Sequence, residues 1–347
     1  MNDPIFIIGT ERSGTNLLRL ILNSHSGIAV PHPPHIMKFF QPLLPLYGDL
    51  SQERNFRRLI GDVCRVVELH PYSWEMRPDR EAVFGNAEDR DLMAVYFEVY
   101  DQYRAYAGKR RWACKSTFMI EHVAEVLRRR PGAKFIYMVR DGRDVAVSAK
   151  SSIFNRCHAY YVAELWSREQ RLGLSWLSRL PAERIMLLKY EELLRDPGCV
   201  TERICSFLGE PFEDRMLEYH RSGEASKSGG LSLSWKNTSM PVMRDNAGKY
   251  RRLLSEKEVL LFETVAGEEL KELGYGLAFP GAPLEKGRMT PGARFSYRAG
   301  DALLRIRAEA RHMLRDKSTA DRLKKLGYLR YLRLMRGLQR FAGAGML

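Results

Sequence analysis

The sequence has no apolar run near the roughly 20 residues that a membrane-spanning helix needs, and no long low-complexity segment. Its five cysteines are odd in number and form no C-x-x-C pair, which indicates reduced thiols and excludes a disulfide framework or a cysteine-based zinc site. The first residues lead directly into an apolar run typical of a core strand, so no signal peptide is expected. These absences predict a cytoplasmic protein.

Charge is unevenly distributed along the 347 residues. The net charge is +14, but the segment 285–347 alone holds 16 Lys and Arg residues against 5 Asp and Glu residues. Residues 1–284 carry a net charge of only +3. The high isoelectric point is therefore a property of the C-terminal segment, and it gives no reason to expect a nucleic-acid partner for the main body.

Strand-like and helix-like segments alternate along the first 280 residues. "IFIIG" (5–9) is typical of a strand, and an amphipathic helical pattern follows its loop. Apolar strands at 135–139 and 185–188 begin two further units of strand, turn and helix. The alternation predicts an α/β fold with a P-loop-like, doubly wound parallel sheet flanked by helices. A Pro/Gly-rich stretch (278–292) precedes a basic helical extension, so we predict domains 1–284 and 285–347.

The loop "GTERSGTNLL" (9–18) has the form of a phosphate-binding turn without its lysine. Gly9 and Gly14 have the separation found in a Walker A loop, but Thr15 stands where the lysine belongs. Backbone amides and the dipole at a helix start favour an anion there. The predicted donors are the backbone at Gly14 and the side chains of Arg12, Ser13, Thr15 and Asn16. The alternative is a tight strand-to-helix turn with an exposed arginine.

Four segments match one known family in order. They are "RSGTNLLRLILNSH", "VRDGRDVAVSAKSS", "ERIMLLKYEELLRDPGCVTERICSFLGEPF" and "NAGKYRRLLSEKE", and together they span most of residues 1–280. They resemble the sulfotransferases that use 3'-phosphoadenosine 5'-phosphosulfate, and "RSGT" with "CKS" is more similar to the tyrosylprotein and carbohydrate branch. The resemblance implies transfer of a sulfo group from this donor to an acceptor hydroxyl or amine, without a metal. A sulfo donor also carries less charge than a nucleoside triphosphate with magnesium, which accounts for the absent lysine.

The same resemblance implies roles for the residues that would hold the donor. Arg12 is expected to contact the 5'-phosphate and the leaving bridge oxygen, with the other loop donors around the same group. Arg140 and Ser148 are expected to hold the 3'-phosphate. The residues that would close over that phosphate are Lys249 and Arg251 or Arg252. Each of these residues also has a plainer interpretation. Arg140 is then a solvated arginine in a turn, Ser148 a small residue on a packed helix, and the segment at Lys249 a basic helix start that faces solvent.

Two further roles concern the reacting groups. Lys115, in "WACKSTFM", is expected to stabilise charge on the leaving oxygen. The acceptor hydroxyl needs a general base, and the corresponding stretch "AVPHPPHIMKFF" has no glutamate. His32 lies nearest the expected place and His35 is second, while a base elsewhere is the third alternative. The two intervening prolines argue against a helical His-x-x-His metal pair, so no metal site is predicted.

The sequence allows more than one function and more than one role for the basic extension. A carbohydrate or glycolipid is the expected acceptor. The competing functions are a nucleotide or small-molecule kinase with a P-loop-like fold and a non-catalytic nucleotide-binding membrane adaptor. From Arg294 onward the chain is predicted to be helical. One side of the wheel carries Arg322, Lys325, Arg333, Arg336 and Arg340, and the other carries Leu323, Leu334, Leu338 and Phe341. Such a helix either lies on anionic lipid, as a peripheral membrane contact, or docks on the main body with its arginines in solvent.

Overall fold

The structure is a computed structural model, and it describes residues 3–153, 155–280 and 290–344. Within these ranges, the side chains of Ser234 and of residues 336–344 are not described. The predicted domain boundary between 284 and 285 therefore lies outside the described residues. The same holds for the side chains that the helical wheel places at positions 336, 338, 340 and 341.

Five strands of the described chain form one sheet, in the order β2-β3-β1-β4-β5. They are β1 (Ile5–Gly9), β2 (Ile28–Ala29), β3 (Arg111–Cys114), β4 (Lys134–Val139) and β5 (Ile185–Lys189). The β1–β3, β2–β3 and β4–β5 pairs are parallel. Because the first strand lies in the middle of the order, the sheet extends from it in both directions, as in doubly wound folds. The predicted fold class is confirmed, and β1, β4 and β5 coincide with the three predicted strands.

Helices connect and follow the strands. In the first half of the chain they are α1 (Thr15–Asn23), α2 (Ile36–Phe40), α3 (Glu53–Glu68), α4 (Arg80–Asn86), α5 (Leu92–Tyr106), α6 (Val123–Arg129) and α7 (Gly142–Ala149). In the second half they are α8 (Ala159–Arg179), α9 (Tyr190–Arg195), α10 (Pro197–Leu208), α11 (Gly223–Leu231), α12 (Tyr250–Leu253), α13 (Glu256–Glu272), α14 (Pro291–Arg315) and α15 (Thr319–Ala344). Short 3-10 helices occur at Gln41–Leu46, Thr117–His122, Asp214–Met216, Tyr219–Arg221, Leu233–Ser239 and Arg244–Asn246.

The chain divides into two compact units. The first unit comprises Met1–Phe6, His25–Ala133 and Lys317–Leu347, and the second comprises Ile7–Ser24 and Lys134–Asp316. The first unit therefore contains β2, β3, α2 to α6 and α15. The second unit contains α1, β4, β5 and α7 to α14.

An aromatic cluster forms the core of the first unit. Trp112 of β3 is fully buried, and its ring centre lies 4.8 Å from that of Tyr100 on α5. The Phe6 ring meets the Trp112 ring edge-on at 5.6 Å, within the range of favourable aromatic contacts. These contacts fix β3, and Lys115 is the residue that follows this strand.

In the second unit, helix α8 supports the loop that follows β1. A Cβ atom at Gly173 would lie 2.2 Å from the Tyr137 ring of β4, so only glycine allows this close approach. The Tyr137 hydroxyl donates to Gln170 Oε1 at 2.6 Å, and Gln170 Nε2 donates to Thr10 Oγ1 at 2.7 Å. A continuous hydrogen-bonded path therefore connects the sheet to the first residue of the loop.

The basic extension forms two helices, not one. In the second unit, Asp301 of α14 is 1% exposed. Its carboxylate accepts from the backbone N–H groups of Cys157 (2.8 Å) and His158 (3.1 Å) and from Arg156 Nη1 (2.8 Å). These bonds dock α14 on the segment that precedes α8.

In the first unit, α15 does not simply turn its leucines inward and its basic side outward. Lys325 is buried, whereas Leu323 and Leu334 are 51% and 67% exposed. Of the other residues on the predicted basic side whose side chains the structure describes, Arg322 is half-buried and Arg333 is exposed. The predicted basic side is therefore buried at Lys325 but not along its whole length.

We expect Asp301→Ala to destabilise the protein by on the order of 3 kcal/mol, because two buried N–H groups lose their acceptor. Chemical denaturation monitored by circular dichroism measures this change. Asp321→Ala is the control, because Asp321 is 55% exposed and pairs with its neighbour on the helix surface, Lys324. Equal stability of the two variants would contradict the role of Asp301.

Candidate active site

The loop between β1 and α1 has a backbone that requires glycine at two positions. Gly9 has φ +136°, and a Cβ atom there would lie 2.2 Å from the backbone oxygen of Met138. Gly14 has φ +89°, and its Cβ atom would lie 2.2 Å from the Tyr190 ring. Arg12 also has a left-handed backbone, with φ 73°. A non-glycine residue in this region is strained, which is frequent at functional sites.

Buried donors surround the start of α1. Ser13 is fully buried and Asn16 is 8% exposed. Within the described part of the chain, the Ser13 hydroxyl and the Asn16 amide nitrogen have no hydrogen-bond partner. Arg19 Nε donates to Asn16 Oδ1 at 2.7 Å, which leaves the NH₂ group of Asn16 to donate elsewhere. Such donors, beside the free N–H groups of a helix start, fit an anionic group.

The structure brings together three of the predicted donor-binding residues. Arg12 Nε donates to Ser148 Oγ on α7 at 2.9 Å. Arg140, which follows β4, donates from Nη1 to the backbone oxygen of Arg12 at 3.2 Å. The Arg140 Nε is buried and has no partner among the described residues. Three residues far apart in sequence thus meet at the carboxyl ends of the neighbouring strands β1 and β4, where ligands bind in open α/β sheets.

The two guanidinium groups raise the positive charge of this site. Burial, the largest cause, and the positive charge of Arg140 lower the pKa of Arg12 to about 10. Arg140 also has its guanidinium 4.6 Å from the centre of the Tyr190 ring and 3.8 Å from the Asp144 carboxylate. An additional anion would relieve the repulsion between Arg12 and Arg140.

Residues 244–250 border the same site. Asp144 accepts from the backbone N–H groups of Gly248 (2.6 Å) and Tyr250 (2.8 Å), and Arg140 Nη2 donates to the Asn246 backbone oxygen at 2.8 Å. These bonds place the predicted basic pair on a segment that contacts Arg140. The Lys249 side chain is half-buried, while Arg251 is exposed and has its guanidinium 5.4 Å from the Tyr250 ring centre.

Several residues of this site were not predicted from the sequence. Arg19 orients Asn16, the Tyr190 ring contacts Arg140, and the Asn246 amide donates to the Tyr190 hydroxyl at 2.6 Å. Asp141 caps α7, and Asp144, in the first turn of this helix, holds the segment before α12. Only Arg19 had a local signal, because a basic residue on the buried face of an amphipathic helix needs a partner.

The two candidate bases, His32 and His35, and the predicted Lys115 lie in the first unit. His32 is 4% exposed, and its ring stacks on Tyr72 with centres 4.3 Å apart. The His70 ring centre lies 5.2 Å from that of His32. The backbone oxygen of His32 accepts from Trp74 Nε1 at 2.8 Å. His32 is therefore part of a packed aromatic cluster.

His35 is in a different environment. It has a left-handed backbone with φ 59°, directly before α2, and its Nδ1 lies 3.0 Å from Ser116 Oγ. Ser116 follows Lys115, which is 9% exposed. Burial lowers the pKa of His35 well below its usual value, and the positive charge of Lys115 lowers it further. The structure joins His35 to the "CKS" segment through Ser116.

Within the described residues, no group of three His, Cys, Asp or Glu side chains is placed to hold a metal ion. In the same part of the chain, no helix is both long enough and apolar enough to cross a membrane.

Comparison with known proteins identifies the family of the chain. Residues 4–214 match the model of the "Sulfotransferase family". A protein-tyrosine sulfotransferase 2 of Gallus gallus is 25% identical over 66% of this chain and 57% of its own length. An uncharacterized protein of Aquifex aeolicus is 25% identical over 72% of this chain, but over only 30% of its own length.

Solved structures with the same fold include two sulfotransferase domains. One, from the curacin biosynthetic pathway, has a TM-score of 0.52 with 20% identity and covers 80% of this chain and 99% of its own. The other, from the Synechococcus PCC 7002 olefin synthase, has a TM-score of 0.50 with 22% identity and covers 76% of this chain and 94% of its own. The similarity of these two structures in fold agrees with the phosphate-type loop and the parallel sheet described above. The family match spans more than half of the sequence, and the chain belongs to the sulfotransferase family.

Proposed function

We propose that the protein transfers a sulfo group from 3'-phosphoadenosine 5'-phosphosulfate to an acceptor hydroxyl. The observation that carries this proposal is the meeting of Arg12, Arg140 and Ser148 beside a loop whose buried donors lack partners among the described residues. The family match agrees with the same chemistry. When bound, the donor supplies a sulfo group attached to a phosphate that is a good leaving group.

The second unit has the residues that this donor requires. The start of α1, with Ser13, Asn16 and Arg12, would hold the 5'-phosphate. Arg140 and Ser148 would hold the 3'-phosphate. The unpartnered atoms of Ser13, Asn16 and Arg140 fit a ligand with two separate anionic groups, since each is a donor that a phosphate oxygen can satisfy.

A kinase reading fits these residues less well. A nucleoside triphosphate carries more negative charge and needs magnesium and a loop lysine. Here the loop has Thr15 in the position of that lysine, and Arg140 with Ser148 adds a second anion-binding group beside the loop. The second group favours a nucleotide with a phosphate on its ribose.

The acceptor oxygen forms a bond to sulfur as the bond from sulfur to the bridge oxygen breaks. Its proton goes to a base, and the electron pair of the broken bond stays on the bridge oxygen, where Lys115 and Arg12 would stabilise the charge. We assign the base to His35, because it is joined to the "CKS" segment and its lowered pKa keeps the imidazole neutral. His32 is the alternative base, because it lies nearest the place in the sequence where the family pattern puts the base.

For the acceptor, we propose a hydroxyl of a carbohydrate or glycolipid. The relatives named as protein-tyrosine sulfotransferases make a tyrosine of a protein the competing acceptor. A panel of glycolipids, free sugars and tyrosine peptides, incubated with donor labelled with radioactive sulfur, decides between these classes.

An exposed apolar stripe on α14 favours a membrane-borne acceptor. Opposite the buried Asp301, Ala308 and His312, this helix exposes an apolar stripe. The exposed fractions are 77% for Phe295, 66% for Ile306 and 58% for Met313. One edge of the stripe carries exposed arginines at 294, 298 and 305. Apolar side chains flanked by arginines complement an anionic bilayer surface, so we propose that α14 lies on such a surface.

The nucleotide assignment predicts a selective effect of Arg140→Ala. The affinity for 3'-phosphoadenosine 5'-phosphate should fall about 10- to 100-fold, since a charge-assisted hydrogen bond is worth roughly 1.5–3 kcal/mol. The affinity for ADP, which has no 3'-phosphate, should change little. Calorimetry without magnesium measures both, with Arg203→Ala, a surface ion-pair residue on α10, as control. An equal loss for the two nucleotides would contradict the 3'-phosphate assignment.

The base assignment predicts a pH profile. Because the pKa of His35 is lowered, the imidazole stays neutral as pH falls through 6.5, and turnover should fall only at lower pH. His35→Ala should lower turnover about 100- to 10,000-fold without weakening binding of 3'-phosphoadenosine 5'-phosphate. His32→Ala is the comparison, measured by transfer of labelled sulfo groups. Loss of turnover only in His32→Ala would return the assignment to His32.

The membrane proposal predicts that the protein sediments with phosphatidylserine vesicles more than with phosphatidylcholine vesicles. Ile306→Asp should weaken this binding about tenfold or more, because the burial of one isoleucine contributes roughly 1.5–3 kcal/mol. Leu253→Asp is a matched control, since Leu253 is 55% exposed on α12, away from α14 in sequence. Unchanged binding of Ile306→Asp, or a dimer through this face in ultracentrifugation, would count against a lipid partner.

A further inference from the structure

Helix α15 contributes a buried cation to the first unit. Lys325 is 5% exposed, and its Nζ donates to the backbone oxygen of Pro34 at 3.0 Å. The same ammonium lies 4.8 Å from the centre of the Phe39 ring. Pro34 directly precedes His35. Burial of a lysine costs hydration free energy, so a lysine in this place is unusual for a helix that only covers a surface.

The position of Lys325 is fixed by its neighbours on α15. One turn further along, the Tyr328 hydroxyl donates to Asp62 Oδ1 on α3 at 2.8 Å. The Tyr47 hydroxyl donates to the other oxygen of Asp62, also at 2.8 Å. Leu329 and Leu332 are buried on the same side of the helix, at 6% and 2% exposed. The helix is therefore held in one register, and Lys325 reaches the loop that carries His35.

Positively charged groups from several parts of the first unit act on His35. The titratable groups that act on its imidazole are Lys115 after β3, Lys38 on α2, Lys325 on α15 and His70 after α3. The Phe118 ring contacts both Lys38 and His35. Lys38 Nζ lies 3.9 Å from the centre of this ring, and the His35 ring meets it edge-on at 5.6 Å. All these residues belong to the first unit.

We propose that Lys325 is a positioning residue of the reaction, whose ammonium binds the backbone oxygen of Pro34 and so places a positive charge at the loop that carries His35. The inference rests on the proposed function, in which His35 takes the proton of the acceptor. It gives the C-terminal helix a part in the chemistry, although that helix lies beyond the segment 4–214 that matches the family.

The direction of the effect follows from the two titrations. Burial, the larger cause, and the charge of Lys38 together lower the pKa of Lys325 to about 7. Below pH 7, Lys325 is therefore mostly charged, and this is the range in which His35 would gain a proton. Above pH 7, Lys325 loses its charge, but His35 is already neutral. Lys325 thus acts on the acid limb of the activity profile and leaves the alkaline side of His35 unchanged.

The experiment measures the protonation of His35 directly and then the activity. Histidine ring signals of the full chain are followed by NMR across the pH range, with His35 assigned from the spectrum of His35→Gln. In Lys325→Met, the proton affinity of His35 should rise at least about threefold, since a nearby like charge is removed. The acid limb of turnover should move to higher pH by the same factor. Binding of 3'-phosphoadenosine 5'-phosphate should not change.

Two further variants separate charge from packing. Lys325→Gln keeps a donor for the Pro34 carbonyl but has no charge, so it should behave as Lys325→Met does. Lys324→Met removes an exposed lysine next to it, paired with Asp321, and should leave His35 unchanged. An unchanged His35 titration in both Lys325 variants overturns the inference, whatever the activity. A shifted titration without any change in the rate profile supports the Lys325–His35 coupling and refutes only the proposed role of His35 as base.

Discussion

The turn after β1 depends on two missing Cβ atoms. At Gly9 and Gly14 a side chain would overlap the Met138 backbone and the Tyr190 ring, so the chain can reverse into α1 only through glycine. The same turn forces Arg12 into a left-handed conformation, which costs roughly 1–2 kcal/mol for a residue with a side chain. The bonds of Arg12 to Ser148 and Arg140 offset this cost. The strained residue is therefore also the one that joins the two phosphate-binding segments.

Much of this arrangement follows from the sequence. Continuous apolar runs ended by glycine or by charged turns identify β1, β4 and β5, because strands buried on both faces need no alternation. Arg12 and Arg140 follow two of these strands, and they meet because residues at the carboxyl ends of adjacent parallel strands lie close together. The strands β2 and β3 have two and four residues, too few for a periodic pattern to be recognised. The contacts of Tyr190 and Asn246 arise only from the tertiary fold.

The histidines show what sequence position does not determine. His32 and His35 are three residues apart in the same proline-rich stretch, and their order relative to the family pattern favours His32. Their environments differ because of distant residues, an aromatic cluster around His32 and cations from α2, β3 and α15 around His35. The helical wheel of α15 has the same limit. Its periodicity predicts a basic and an apolar side. Which residues of the helix face the protein depends on tertiary bonds, such as those of Tyr328 and Lys325.

The division of the chain into units has a consequence for how the protein forms. The second unit is built from two segments that are complete once residue 316 has been made, so its two segments can pack during synthesis. The first unit includes residues from the beginning of the chain and α15 from its end. The loop of His35 therefore acquires its contact with Lys325 only after residue 325 has been synthesised. Closing this long-range contact carries the entropic cost of a loop of nearly 300 residues, so the first unit should be the slower of the two to reach its final packing.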